Sequence, residues 1–122
     1  MNKYHAQNDL ITEKDWDKIV VGLYTLLGYE VLDHPFLSLK SPSGWPDRTI
    51  YRGIDENWPF QQSMYQDIPL TGETRLIFLE LKKESGQPTY AQWNCLRILQ
   101  AMGYEAYLVR PSDFDWLAEA LR

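Results

Sequence analysis

From Thr12 to Leu27 apolar residues fall at Trp16, Ile19, Val20, Leu23, Leu26 and Leu27, a spacing that predicts an amphipathic helix. Thr12 with Asp15 has the form of a capping box, and Gly28 supplies a left-handed close. "YEVLDH" reads as a short strand and "SLKSPSGWP" as a polar loop whose Pro and Gly residues interrupt regular structure. "DRTIYR" alternates as a strand does. Residues Gly53 to Thr74 are long for a connection between strands and are expected to form a loop-rich hairpin extension or a lid. "RLIFLELK" then supplies the most apolar strand of the chain, turned by "KESGQP". A second helix is expected from Thr89, with Thr89 and Gln92 as a capping box, burying Trp93, Leu96, Leu99 and Met102 before Gly103. "YEAYLV" reads as a strand and "PSDFDWLAEALR" as a last helix capped by Ser112 with Asp115. The order helix, strand, strand, strand, helix, strand, helix (α-β-β-β-α-β-α) predicts an α/β fold, a mixed β-sheet covered by helices on both faces.

Composition narrows the setting. A chain of 122 residues, 44% hydrophobic and 14% aromatic, is one domain's worth and can build a real core. A single cysteine, Cys95, leaves no internal disulfide and no cysteine zinc cage, as expected of an intracellular protein. The first residues, "MNKYHAQNDLITEKD", hold no apolar targeting core, and no run approaches a membrane span, so a soluble, cytoplasmic protein is expected. Twelve Lys and Arg against 17 Asp and Glu give a net charge of -5, which argues against coating nucleic acid by bulk charge. Contact with DNA would need a local basic patch, metal ions that neutralise carboxylates, or a partner protein.

One strand carries the candidate chemistry. Leu76 to Leu79 reads as buried on both faces, yet Glu80 and Lys82 follow, and side chains two apart on a strand share a face. Taken alone, that pair is a solvated strand end. Asp47, opening the previous strand in "GWPD", changes the reading: if the two strands are neighbours, Asp47 and Glu80 converge with Lys82 beside them. Two close carboxylates repel, and a cation is the usual remedy. Oxygen ligands select hard ions such as Mg2+ or Mn2+, which can polarise a phosphoryl oxygen and acidify water, with a lysine to orient it. The set suits hydrolysis of a phosphodiester.

"GWPDRTIYR" followed by "RLIFLELKKESGQPTYAQWNCLRILQAMGYEAYLVRPSDFD" resembles the VRR-NUC family of the PD-(D/E)xK nuclease superfamily: Pro-Asp, Glu-x-Lys, a turn, a Gln near a helix start and a Gly-led final strand. The resemblance covers residues 12–121 apart from the 53–74 segment, longer than the family usually has. It implies a single domain over residues 1–122 with a restriction-endonuclease-like core and an insert at about 53–74. It further implies a Mg2+-dependent endonuclease, structure-selective for branched or Holliday-junction-like DNA, acting as a homodimer and encoded by a bacterium or phage. Asp47 and Glu80 match its metal ligands, Lys82 its catalytic lysine and Gln92 its helix glutamine near the site. A first-helix acid often adds a ligand; Glu13 and Asp17 are both in place for it, with Glu13 taken as the metal ligand. A silent nuclease-fold binding module, or one subunit of a larger nuclease, is the alternative. Plainer roles stand beside these: a helix-dipole acid for Glu13, a cap for Gln92, a surface histidine for His34 instead of a phosphate contact. Trp45 and Tyr90 flank the motifs, as walls of the site or as surfaces on which bases stack. Lys83, on the other face from Glu80, reaches DNA phosphate or solvent and stands outside the proposed chemistry.

Overall fold

The computed structural model describes residues 7–32, 44–54 and 74–122. Helix α1 (Glu13–Leu26) begins where the Thr12 hydroxyl accepts the Asp15 amide at 3.1 Å, which satisfies one of the unpaired donors of the first turn. Helix α2 (Tyr90–Ala101) opens with a reciprocal box: Thr89 Oγ1 accepts the Gln92 amide and Gln92 Oε1 accepts the Thr89 amide, at 3.1 and 2.9 Å. Both helices close alike, at Gly28 and Gly103 with φ near +90°, and the next tyrosine amide bonds back to Tyr24 and Leu99 respectively. The last helix differs from expectation. Pro111–Asp113 form a 3-10 turn, in which Asp113 Oδ2 accepts the Arg110 amide at 2.8 Å, and α3 spans Phe114–Ala120 with Asp113 rather than Ser112 at its N-cap and no side-chain capping bond. The Ser112 amide instead donates to Glu84 at 3.0 Å.

Four strands, β1 (Glu30–Val31), β2 (Arg48–Arg52), β3 (Arg75–Leu81) and β4 (Glu105–Val109), lie in the order β1-β2-β3-β4. The first two pairings are antiparallel and β3 with β4 is parallel, which requires the α2 crossover. The chain is therefore a mixed α/β protein with helices on both faces of a mixed sheet. Strand β3 is central and alternates between two cores. Ile77, Leu79 and Leu81 join Trp16, Val20 and Tyr24 of α1 and Leu117 of α3, while Leu76 and Phe78 join Leu96 and Leu99 of α2. The Trp16 indole N–H donates to the Val109 carbonyl at 3.0 Å inside the first core.

The helix stripes are narrower than their periodicity predicts. On α1 the inward line is Trp16, Val20 and Tyr24, while Leu26 is 82% exposed. On α2 only Leu96 and Leu99 are buried; Trp93 and Met102, expected inside, face outward. A helix resting on a sheet buries one line of residues three or four apart, and neighbours to either side stay at the rim. Among the described residues no helix is long and apolar enough to cross a membrane. His34 and most of the expected insert, residues 55–73, lie outside the described residues.

Candidate active site at the end of β3

The register of β2 against β3 brings the two motifs together. Arg48 pairs with Leu79, so Asp47, one residue before Arg48, arrives level with the end of β3. Its Oδ2 accepts the Leu81 amide at 2.8 Å, which holds the carboxylate beside Glu80 after the strand pairing has ended. The approach of Asp47 depends on Gly44. Gly44 has φ +87°, and a Cβ there would lie 2.4 Å from the Ala91 carbonyl carbon and oxygen and 2.8 Å from the Gln92 nitrogen. Only glycine lets the "GWPD" segment rest on the first turn of α2. Trp45 then packs edge-on against Phe78, with centroids 5.9 Å apart, as a wall of the site.

Glu80 is 1% exposed, and neither of its carboxylate oxygens has a hydrogen-bond partner among the described residues. Lys82 Nζ stands 3.8 Å from Oε1, too far for a hydrogen bond. An ionised carboxylate so placed is costly, and the group responds by holding its proton. Burial pushes the Glu80 pKa up to about 8, helped by the negative charge of Asp47; Lys82 opposes the rise and Glu13 adds to it.

The two first-helix acids have separate fates. Asp17 is held by Arg48 through two bonds, Nε to Oδ1 at 3.2 Å and Nη2 to Oδ2 at 2.8 Å. Glu13, exposed on the first turn of α1, lines the same opening as Asp47, a cleft of about 490 Å³. Gln92 is committed through Oε1 to the α2 cap, beside the Gly44 contact. Cys95 of α2 faces the same side of the sheet, where burial and the Glu80 charge push its thiol pKa up. Arg48 went unremarked in the sequence, and Gly44 was read only as part of the "GWPD" stretch and its loop, without the close approach to α2 that requires a glycine there.

Among the described residues no three His, Cys, Asp or Glu side chains are gathered tightly enough to cage a metal ion. Mg2+ asks for less, commonly one or two carboxylates with water and substrate phosphate completing the shell. The paired carboxyls of Asp47 and Glu80, with both Glu80 oxygens unpartnered, fit such an ion in donor type and number. Comparisons of the chain with protein-family models, curated proteins and solved structures found no match.

Proposed function

We propose that the chain is a metal-dependent endonuclease of PD-(D/E)xK type, similar to the VRR-NUC family, that hydrolyses phosphodiester bonds in branched DNA. The observation that carries this reading is Glu80: a carboxylate buried at a strand end, its oxygens unpartnered among the described residues, beside Asp47 and with Lys82 Nζ 3.8 Å from Oε1. A core meant only for stability would place an apolar residue there, because an unpaired buried acid costs free energy. Asp47 and Glu80 would hold Mg2+ or Mn2+, with Glu13 nearest to add a third acid. When bound, such an ion supplies charge stabilisation at a phosphoryl oxygen and acidifies water.

The chain's own groups act around that. Asp47, anchored by the Leu81 amide, gives up little orientational freedom on engaging a ligand. Glu80 must release its proton to act as a ligand, and Lys82 favours that release. The Lys82 ammonium then holds the attacking water or the phosphate in line as the new P–O bond forms and the bridging P–O bond breaks. Arg48, tied to Asp17, keeps α1 against β2 and so fixes the Glu13 side of the cleft.

The test is to incubate purified protein with Mg2+ or Mn2+ and linear, flap and four-way DNA, alongside Glu80→Ala checked for folding by circular dichroism. Cleavage by the native protein that disappears in the variant is expected. Equal cleavage by both would make the activity a contaminant. Silence from both, with tight binding of branched DNA, would favour the second reading, a nuclease-fold binding module.

A further inference from the structure

The outer face of α2 carries groups that neither core uses. Tyr90 is 78% exposed and Trp93 51% exposed, with ring centroids 6.2 Å apart and planes inclined by 30°. One turn on, the Arg97 guanidinium lies over the Trp93 ring at 5.7 Å, steadied by a 2.8 Å bond to Asn94. Three planar groups thus run down one helix face at spacings of three and four. Beside them lies a groove of about 360 Å³, floored by Leu96 and Leu108 and edged by Arg97 and Arg110, with no carboxylate among the described residues that line it. In a chain with 17 acids and 12 bases, that is a local reversal of charge.

The groove is continuous with the candidate site. At Gln87 it meets a second groove, of about 430 Å³, lined by Lys82 and Lys83 and also by Asp9 and Glu13 of the first-helix region. Arg110 bridges the two by donating to the Gly86 carbonyl through Nε and Nη2, at 3.2 and 2.9 Å. A line of cations, Lys82, Lys83, Arg110 and Arg97, therefore leads from Glu80 to the exposed rings.

We infer that this track binds an unpaired DNA strand, its phosphates along the four cations and its bases stacked on Tyr90 and Trp93. The inference rests on the reading of DNA as the substrate but not on catalysis, and it narrows that substrate to branched DNA with a single-stranded arm. A fully paired duplex keeps its bases stacked on one another and has none to offer to exposed rings, whereas an unpaired strand matches aromatic faces set beside a positive groove. Arg97 serves both needs, as a cation for phosphate and as a flat partner to the indole.

The experiment measures anisotropy of a fluorescein-labelled oligothymidylate and of a duplex of equal length, in EDTA so that no cleavage intervenes. The proteins are native, Tyr90→Ala, Trp93→Ala, Arg97→Gln and, as a control, Trp116→Ala, whose ring packs on Tyr107 and lines neither groove of the track. Tighter binding of the single strand is expected, weakened roughly tenfold by Tyr90→Ala and by Trp93→Ala and unchanged by Trp116→Ala. Arg97→Gln should lower the slope of log affinity against log salt by about 0.7. Because Trp93 is half-buried, the exposed Tyr90 guards against a folding artefact. Native-like binding by both ring variants, or no preference for the single strand, overturns the inference. So does loss of a dimer in Tyr90→Ala with no DNA bound by the native chain, which would make the face a contact between copies. Cleavage that persists while the ring variants bind normally sinks the track and spares the nuclease; ring-dependent binding without cleavage does the reverse.

Discussion

Replacing Glu80 by glutamine isolates the charge of the buried carboxyl while keeping its shape. The folded-state pKa of about 8, against an ordinary value of 4.5, means that the folded chain holds a proton the unfolded chain releases. The sign follows directly: between those values the folded state binds more protons, so stability falls as pH rises, and the loss is complete above about pH 8. A full unit of pH within that window is worth about 1.4 kcal/mol, and integration from about pH 5.5 to 8.5 gives a loss of about 3 kcal/mol. Glu80→Gln should remove this slope. Urea unfolding in EDTA across the range measures it, and slopes are compared because the buried amide shifts every point alike. Adding Mg2+ to the native protein above pH 8 should restore about 1.4 kcal/mol at ten times its dissociation constant, and leave the variant unmoved. Parallel pH profiles for the two proteins would refute the reasoning about the site.

Gly44→Ala should both destabilise the fold, by about 2 kcal/mol or more, and impair cleavage, since the new methyl meets the Ala91 backbone at 2.4 Å with φ at +87°; a native urea midpoint would show that the segment does not rest on α2. Trp16→Phe loses the buried bond to the Val109 carbonyl and part of the indole volume, an expected cost of about 1–3 kcal/mol in thermal or urea unfolding. Glu105 accepts from Arg75 at 2.6 and 3.0 Å and from Tyr107 at 2.8 Å, and the Arg75 bonds hold its pKa below the ordinary range. Its depressed pKa gives stability that is present above the unfolded value and lost as pH falls through the folded one. Because the pair is partly exposed, Glu105→Gln should cost only about 1 kcal/mol near neutral pH, with the gap to native closing in acid.

Several features were legible along the chain because their causes are local. The caps at Thr12 and at Thr89 with Gln92, and the glycine closes at Gly28 and Gly103, are each made by groups within a few residues of one another. The buried run from Ile77 to Leu79 was legible because four successive apolar residues, Leu76 to Leu79, leave a strand few places except the interior of a sheet; that burial runs on through Glu80 and Leu81, and that Leu76 is only half-buried, was not. Trp93 and Met102 were misread as buried because periodicity gives the apolar side of a helix and not the width of the surface it meets. Ser112 was misread because the chain passes through a 3-10 turn, Pro111–Asp113, before the helix, which puts Ser112 inside that turn and moves the N-cap to Asp113.

By itself the sequence determined the kinds of element, their order and the candidate acids and lysine, since spacing and residue type need no partner. The tertiary structure decided the rest through contacts between distant parts of the chain. Strand register set Asp47 level with the end of β3, and Arg48 occupied Asp17 but not Glu13. The cover of α2 made Glu80 a buried, proton-holding acid where a solvated one was the simpler reading. The same cover turned the outer face of α2, with Tyr90 and Trp93, to solvent. Burial and charge pairing depend on what lies across the gap, and no local pattern records that.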